Sequence, residues 1–279
     1  MPVPTLDFVS ALTAAEEAAR IAGALLRTHF TQPLNITRKS AIEVVTEADG
    51  AAEKAILDHL LPRYPDHHFI GEEGGGVGRP RKTAKYRWHI DPLDGTTNFS
   101  RRIPHFAVSI ALADSRNRPL VGVVYDPIRE ECFTALRGGW ARLNGVVIRV
   151  SDTPTLGEAV LTSGFPYDRR RNPDNNTEEW SQFVTRTAEL RRLGSAALDL
   201  CWTACGRLDG FWEPRLKTWD IMAGLLIVTE AGGKVTNYRG GTENVYNGRE
   251  VVATNSRIHE QVLEVIILGA AAPRPKGRS

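Results

Sequence analysis

One stretch, Trp88-His89-Ile90-Asp91-Pro92-Leu93-Asp94-Gly95-Thr96-Thr97-Asn98-Phe99, restricts the fold more than any other. An apolar run that reads as a strand ends at Ile90, and two acids then stand three residues apart around a proline. Pro92 fixes its own φ and has no N–H to donate, so the turn is stiff and holds Asp91 and Asp94 in fixed relative positions. Gly95 and the two threonines offer backbone N–H groups where a helix can begin, and a helix start is a ready phosphate site. Carboxylates beside such a site repel a phosphate unless a cation lies between them. Hard oxygen ligands without thiolates point to magnesium, manganese or calcium. Taken alone, Asp-Pro and Asp-Gly are also good turn formers, and for this stretch by itself that reading stays open.

Three further features bear on the choice. Ile70-Gly71-Glu72-Glu73 again places two acids at the end of a short apolar strand, whose end could lie beside the strand leading to Asp91. The following Gly74-Gly75-Gly76 is not a nucleotide loop, because the acids ahead of it oppose a phosphate. Trp219-Asp220 opens an apolar helical run, although an acid there is more commonly an N-cap. Asp49 near the start of the second helix is equally open to the capping explanation.

The rest of the chain reads as alternating short elements. Phe8, Leu12, Ala15, Ala19, Ala22, Leu26 and Phe30 recur at helical spacing from about Leu6. A second helix starts at Thr46, with Asp49 three residues on, and Pro62 closes it. Strands are expected at 68–71 and 86–90, with the basic Gly-rich stretch 74–82 between them as a mobile loop. Strands at 107–113, 120–125 and 132–136 follow. Beyond Thr153-Pro154 come a strand near Val160, a helix from Thr177 to Leu190 and a strand at 191–194. A helix from Ser195, a strand at 210–213, a helix at 218–231, a strand from Lys234 and a last helix from Arg257 complete the order. Helices and strands mixed in this way imply layered sheets covered by helices. We expect one globular unit over 1–279, with subdomains 1–152 and 153–270 and a disordered tail at 271–279.

With 279 residues, 42% hydrophobic and 24% charged, the balance is globular, and a net charge of +2 does not argue for a nucleic-acid partner. The basic groups Arg79/Arg81/Lys82, Arg101/Arg102 and Arg169/Arg170/Arg171 are either solvated surface or a field that draws in an anion. Three cysteines make no disulfide framework and fit a reducing compartment. Met1-Pro2-Val3-Pro4 does not start a signal peptide. No run of about 18 apolar residues suggests a membrane span, so a cytoplasmic location is expected.

The blocks DPLDGTTNF at 91–99, GEE at 71–73 and WDIMAGLLIVTEAGG at 219–233 resemble the inositol monophosphatase family, as do VTEAD at 45–49, RRLGSAALDLC at 191–201 and GRLDGFWE at 206–213. The resemblance spans roughly Lys39 to Val252 and is carried by several blocks in the family's order. It implies an α+β fold, a layered αβαβα sandwich of two sheets and helix layers. It implies a lithium-sensitive, magnesium-dependent phosphatase of a small phosphate monoester, myo-inositol monophosphate first, with two to three Mg2+ ions and Mn2+ as a substitute.

By resemblance, one metal is held by Glu72, Asp91 and the carbonyl of Leu93, a second by Asp91, Asp94 and Asp220, and a weaker third involves Glu72. Thr96, bonded to Asp49 and assisted by Glu72, activates the attacking water. Gly95 and Thr96 hold phosphate oxygens, and Ser195, Ala196, Glu213 and Asp220 line the polyol. Lys39 matches a basic residue near the third-metal loop. Lys217, Thr218 and Gly74 depart from residues common in relatives, which touches the sugar contacts and that loop but no carboxylate. The family also implies a homodimer. Fructose 1,6-bisphosphate and other sugar or nucleotide phosphates are the alternative substrates, and a regulatory RNA- or transcription-associated role is the alternative function.

Overall fold

The computed structural model describes residues 7–33, 36–38 and 44–271. The expectations for Met1 to Pro4, for Lys39 and for a tail beyond Ala271 lie outside them. In chain order the helices are α1 Phe8–Phe30, α2 Glu47–Leu60, α3 Thr96–Ser100, α4 Thr177–Val184, α5 Ala196–Ala204, α6 Thr218–Glu230 and α7 His259–Ala271. The strands are β1 Ile36–Arg38, β2 Val44–Thr46, β3 His68–Gly71, β4 Gly75–Gly78, β5 Tyr86–Asp94, β6 Ala107–Asp114, β7 Pro119–Asp126, β8 Glu131–Leu136, β9 Arg142–Leu143 and β10 Val146–Val147. They continue with β11 Val160–Ser163, β12 Glu189–Arg191, β13 Gly210–Pro214, β14 Lys234–Thr236 and β15 Glu250–Thr254.

An eight-stranded sheet runs in the order β10-β9-β8-β7-β6-β5-β3-β4 and a five-stranded sheet in the order β12-β11-β13-β15-β14. Helices α1 and α2 cover one face of the larger sheet, α5 and α6 lie between the sheets, and α4 and α7 pack together beyond the smaller one. Three separate apolar clusters fill the three spaces so created. This is the αβαβα sandwich.

Helix α1 begins where Asp7 Oδ1 accepts the Val9 N–H at 3.0 Å. Its buried stripe is mostly alanine, which lets it lie close to β7; a Cβ at Gly23 would come within 2.6 Å of the Tyr125 ring. Helix α6 is sandwiched, so it is apolar on all sides, and Ile221 through Val228 are all buried. Gly122 of β7 admits it: a Cβ there would stand 2.9 Å from the carbonyl oxygen of Ala223. Among the described residues no helix is long and apolar enough to cross a membrane.

Four expectations are corrected. The strand before the acids does not end at Ile90 but runs to Asp94, because the missing Pro92 N–H falls within a bulge where no ladder bond is needed. The Gly-rich stretch is not all loop: 75–78 forms β4 antiparallel to β3, since Glu53 of α2 accepts the N–H groups of Glu73 (2.9 Å) and Gly74 (2.5 Å) and folds the turn between them. The helix from Thr177 stops at Val184, because Ala188 and Glu189 donate to the carbonyl of Ala159 and pull the chain into β12, which therefore starts at Glu189. Strand β15, not anticipated, fills the place between β13 and β14.

Candidate active site

Strict alternation along a strand would send residues 91 and 94 to opposite faces. In β5, Asp91 pairs with Ser109 and Asp94 with Ala107, so three steps on one strand meet two on the other. The extra residue reverses the parity, and both acids reach one cavity. Strand β3 is parallel to β5, the one parallel pair of the larger sheet among the described residues. Its end therefore lies beside the end of β5: Glu72 N donates to the Ile90 carbonyl at 3.3 Å, and Glu72 joins the cavity.

Helix α6 brings Asp220 from the other side. Its first turn is tied to the larger sheet by Ser109 Oγ, which donates to the Trp219 carbonyl at 3.0 Å, and by a 2.8 Å contact between His89 Nδ1 and Thr218 Oγ1. Asp220 Oδ2 accepts the Lys217 N–H at 2.7 Å, so it does take part in capping as well as facing the cavity. Helix α5 meets Asp94 end-on: Asp94 Oδ2 accepts from Ser195 Oγ (2.7 Å) and from Ala197 N (2.6 Å), as suits an acid at a helix N-terminus. Asp49 stands just behind. Its Oδ2 takes the N–H (2.8 Å) and hydroxyl (2.7 Å) of Thr46, and its Oδ1 lies 3.1 Å from Thr96 Oγ1. Thr96 Oγ1 is also 3.1 Å from the carbonyl oxygen of Leu93.

The cavity holds about 590 Å³ and brings together Glu72, Asp91, Leu93, Asp94, Gly95, Thr96, Ser195, Ala196, Glu213 and Asp220. Among the described residues, only Asp49 of the expected catalytic, metal and substrate residues is not in the wall, and it reaches the cavity through Thr96. The arginine groups at 79–82, 101–102 and 169–171 do not line it. Arg79 pairs with Asp66, and Arg102 closes the end of α1 on the carbonyls of His29, Phe30 and Gln32. The cationic side chains in the wall are instead Arg192, Arg215 and Lys217, and Asp199 and the segment Phe165 to Asp168 join them. Apart from Lys217, which sequence reasoning connects with the sugar contacts, these were missed; the one available signal was an aspartate inside the apolar run of α5, four residues after Ser195.

Eight acids against three basic residues make this a wall that repels a bare phosphate. The acids also repel one another. Burial, then Glu72, Asp94 and Asp220, raise Asp91 well above the ordinary carboxylate range. Burial and Asp94 do the same to Asp220, and burial raises Asp94 despite its bonds from Ser195 and α5. Burial also raises Asp49 and lifts Glu213 to about 8.

Among the described residues no three acid, histidine or cysteine side chains form a ready-made ligand set. The donor chemistry nonetheless fits a hard cation: carboxylates and the Leu93 carbonyl, no sulfur, and carboxylates with lone pairs left beyond the bonds they accept. A divalent ion among them would offset the mutual repulsion that raises these acids.

The family profile described as the inositol monophosphatase family matches residues 9–267. The protein named Nus factor SuhB from Pasteurella multocida is 44% identical over 257 residues, 91% of this chain and 95% of its own. The inositol-1-monophosphatase of Synechocystis sp. is 42% identical over 269 residues, 96% of this chain and 91% of its own. Among solved structures, inositol monophosphatase from Anabaena superposes with a TM-score of 0.85 at 40% identity, covering 94% of this chain and 97% of that one.

Proposed function

This chain belongs to the inositol monophosphatase family, and on that premise we propose that it hydrolyses a small phosphate monoester with divalent cations, myo-inositol monophosphate being the first candidate. The observation that carries the reading is the meeting of Glu72, Asp91, Asp94 and Asp220 in one cavity with Thr96, itself 3.1 Å from Asp49. Magnesium is the proposed ion, held by Glu72, Asp91 and the Leu93 carbonyl and by Asp91, Asp94 and Asp220, with a third ion near Glu72. When bound, such ions neutralise phosphate charge, acidify water and stabilise a leaving oxygen.

The chain's own residues supply the rest. The Thr96 hydroxyl accepts a proton from the attacking water while passing its own to Asp49 Oδ1. Burial raises the proton affinity of Asp49 and so improves it as the final acceptor. The N–H groups of Gly95 and Thr96 hold phosphate oxygens; Gly95 can turn there because its φ is +103°. Ser195, Ala196, Glu213 and Asp220 receive the alcohol half. Lithium inhibition and a homodimer belong to the same proposal and rest on the family resemblance.

The test is phosphate release from inositol 1-phosphate, fructose 1,6-bisphosphate, histidinol phosphate and phosphoadenosine phosphate, each with magnesium, with chelator and with lithium. Magnesium-dependent release fastest on inositol 1-phosphate is expected. A different preferred ester keeps the reaction and changes the substrate; no release from any of them removes the proposal.

A second reading is favoured by the name Nus factor on relatives up to 44% identical: a regulatory partner in transcription. It requires a salt-sensitive association with transcription components that Asp94→Asn leaves intact. Loss of that association in parallel with phosphatase activity would count against it.

A further inference from the structure

Asp199 is 2% exposed, lies in the wall of the cavity and has no part in the reaction described above. Its Oδ1 makes no hydrogen bond of ordinary geometry among the described residues; the Thr162 hydroxyl on β11 acts on the carboxyl but stands off from such a bond and likewise makes none. Leaving a buried carboxyl oxygen unpaired costs stability that an apolar residue on α5 would not. Its position suggests why the cost is borne.

Ser195 and Asp199 are four residues apart at the start of α5 and so share a helical face. That face begins at Asp94, which Ser195 Oγ contacts at 2.7 Å, and continues inward to Asp199. Glu213 reaches the same part of the cavity from β13, and the charges of Glu213 and Asp199 act on each other. Glu213 is seated against Gly164, where an added Cβ would stand 2.2 Å from its carboxyl oxygen. An alcohol leaving from the Asp94–Asp220 end therefore lies over α5, with two buried carboxyls beneath it.

We propose that Asp199 is a specificity-determining residue which, with Glu213, takes hydroxyl groups of the alcohol half and restricts the enzyme to esters whose alcohol carries at least two further hydroxyls. This rests on the phosphatase reading above. A site built to hydrogen-bond hydroxyls rejects analogues lacking them far more strongly than an apolar pocket rejects a missing methylene.

The test compares kcat/KM for inositol 1-phosphate with that for cyclohexyl phosphate, the same ring without the other hydroxyls. It uses the wild type, Asp199→Leu and Asp199→Asn, with thermal unfolding recorded for each. Asp199→Leu is expected to narrow the ratio about tenfold or more by losing the inositol ester, chiefly through KM, while cyclohexyl phosphate changes about twofold or less. Asp199→Asn falls between. A variant that loses both esters by the same factor, or neither, shows a structural or water-filled position and overturns the proposal. Should Asp199→Leu not fold, the ratio for Asp199→Asn decides, an unchanged ratio overturning it. A wild type inert on both esters fails earlier, at the phosphatase reading, and takes this inference with it.

Discussion

On the large-sheet wall of the cavity, Glu72, Asp91 and Asp94 stand on two neighbouring strand ends, spaced by a ladder and one bulge. On the opposite wall, Glu213 stands on β13 and Arg192 just past β12, two strands away in the smaller sheet, while Asp199 arrives from α5, and no backbone ladder sets its spacing from either. The first wall owes its geometry to the main chain, so its side chains cannot move apart without breaking the sheet. The second depends also on helix docking, which places Asp199, and on side-chain packing, such as Glu213 against Gly164. Reaction chemistry that tolerates little displacement belongs on the first kind of wall. Recognition of a variable alcohol can be left to the second, where one substitution changes the fit and leaves the acids in place.

The sharpest way to break this division is Asp94→Asn. It should cost roughly a thousandfold in kcat/KM, about 4 kcal/mol, with substrate binding changed far less. Near-normal turnover would show that the large-sheet wall does not carry the chemistry. Thr96→Val should lower kcat about a hundredfold while leaving KM near its original value, because it removes a proton route and no binding contact to the alcohol. A change confined to KM would place Thr96 with the recognition wall.

Glu213→Gln probes the other side. It should raise KM for a polyol phosphate about tenfold and leave kcat within a few-fold; a collapse of kcat alone would blur the two walls. The smallest effect is on stability in chelator. Glu213 has its folded pKa raised to about 8 from 4.5, so its contribution is full below pH 4.5 and is lost as pH rises through 8. His67, His89, His105 and His259 are lowered chiefly by burial, to about 4, 3, 4 and 4. They act with the opposite sign, losing stability as pH falls below 6.5, and add nothing above it. Between pH 6.5 and 8 the unfolding temperature of the wild type should therefore fall, and Glu213→Gln should flatten that slope. An equal slope in both proteins would refute the assignment.

The same contrast explains what the sequence makes legible. Asp91, Asp94, Gly95 and Thr96 lie on one short stretch, and Glu72 follows a strand end, so spacing and residue type point to them directly, whereas Leu93 is reached only through the family resemblance. Asp49 and Asp220 are harder, because an acid three residues into a helix also has a capping role, and both residues here do cap while serving the cavity. Asp199 gives one faint local signal, an acid inside an apolar helical run, and Arg192 gives none, since only the packing of the fold brings them to the wall. The bulge in β5 was hidden for a similar reason. Pro92 reads as the end of a strand, and pairing with β6 is what keeps the strand going. Strand β4 was hidden because its glycines have little strand propensity, and a carboxylate from α2 folds the turn ahead of it.

Asp94 is held by the hydroxyl of Ser195 and the N–H of Ala197, a hundred residues further along the chain. In terms of inheritance, the two halves of this sequence are not independent characters. A recombinant joined near residue 153 keeps Glu72, Asp91 and Asp94 from one parent, yet takes the support for Asp94 from the other. Divergence at the start of α5 is thus constrained by an acid that no exchange of the second half alone can replace.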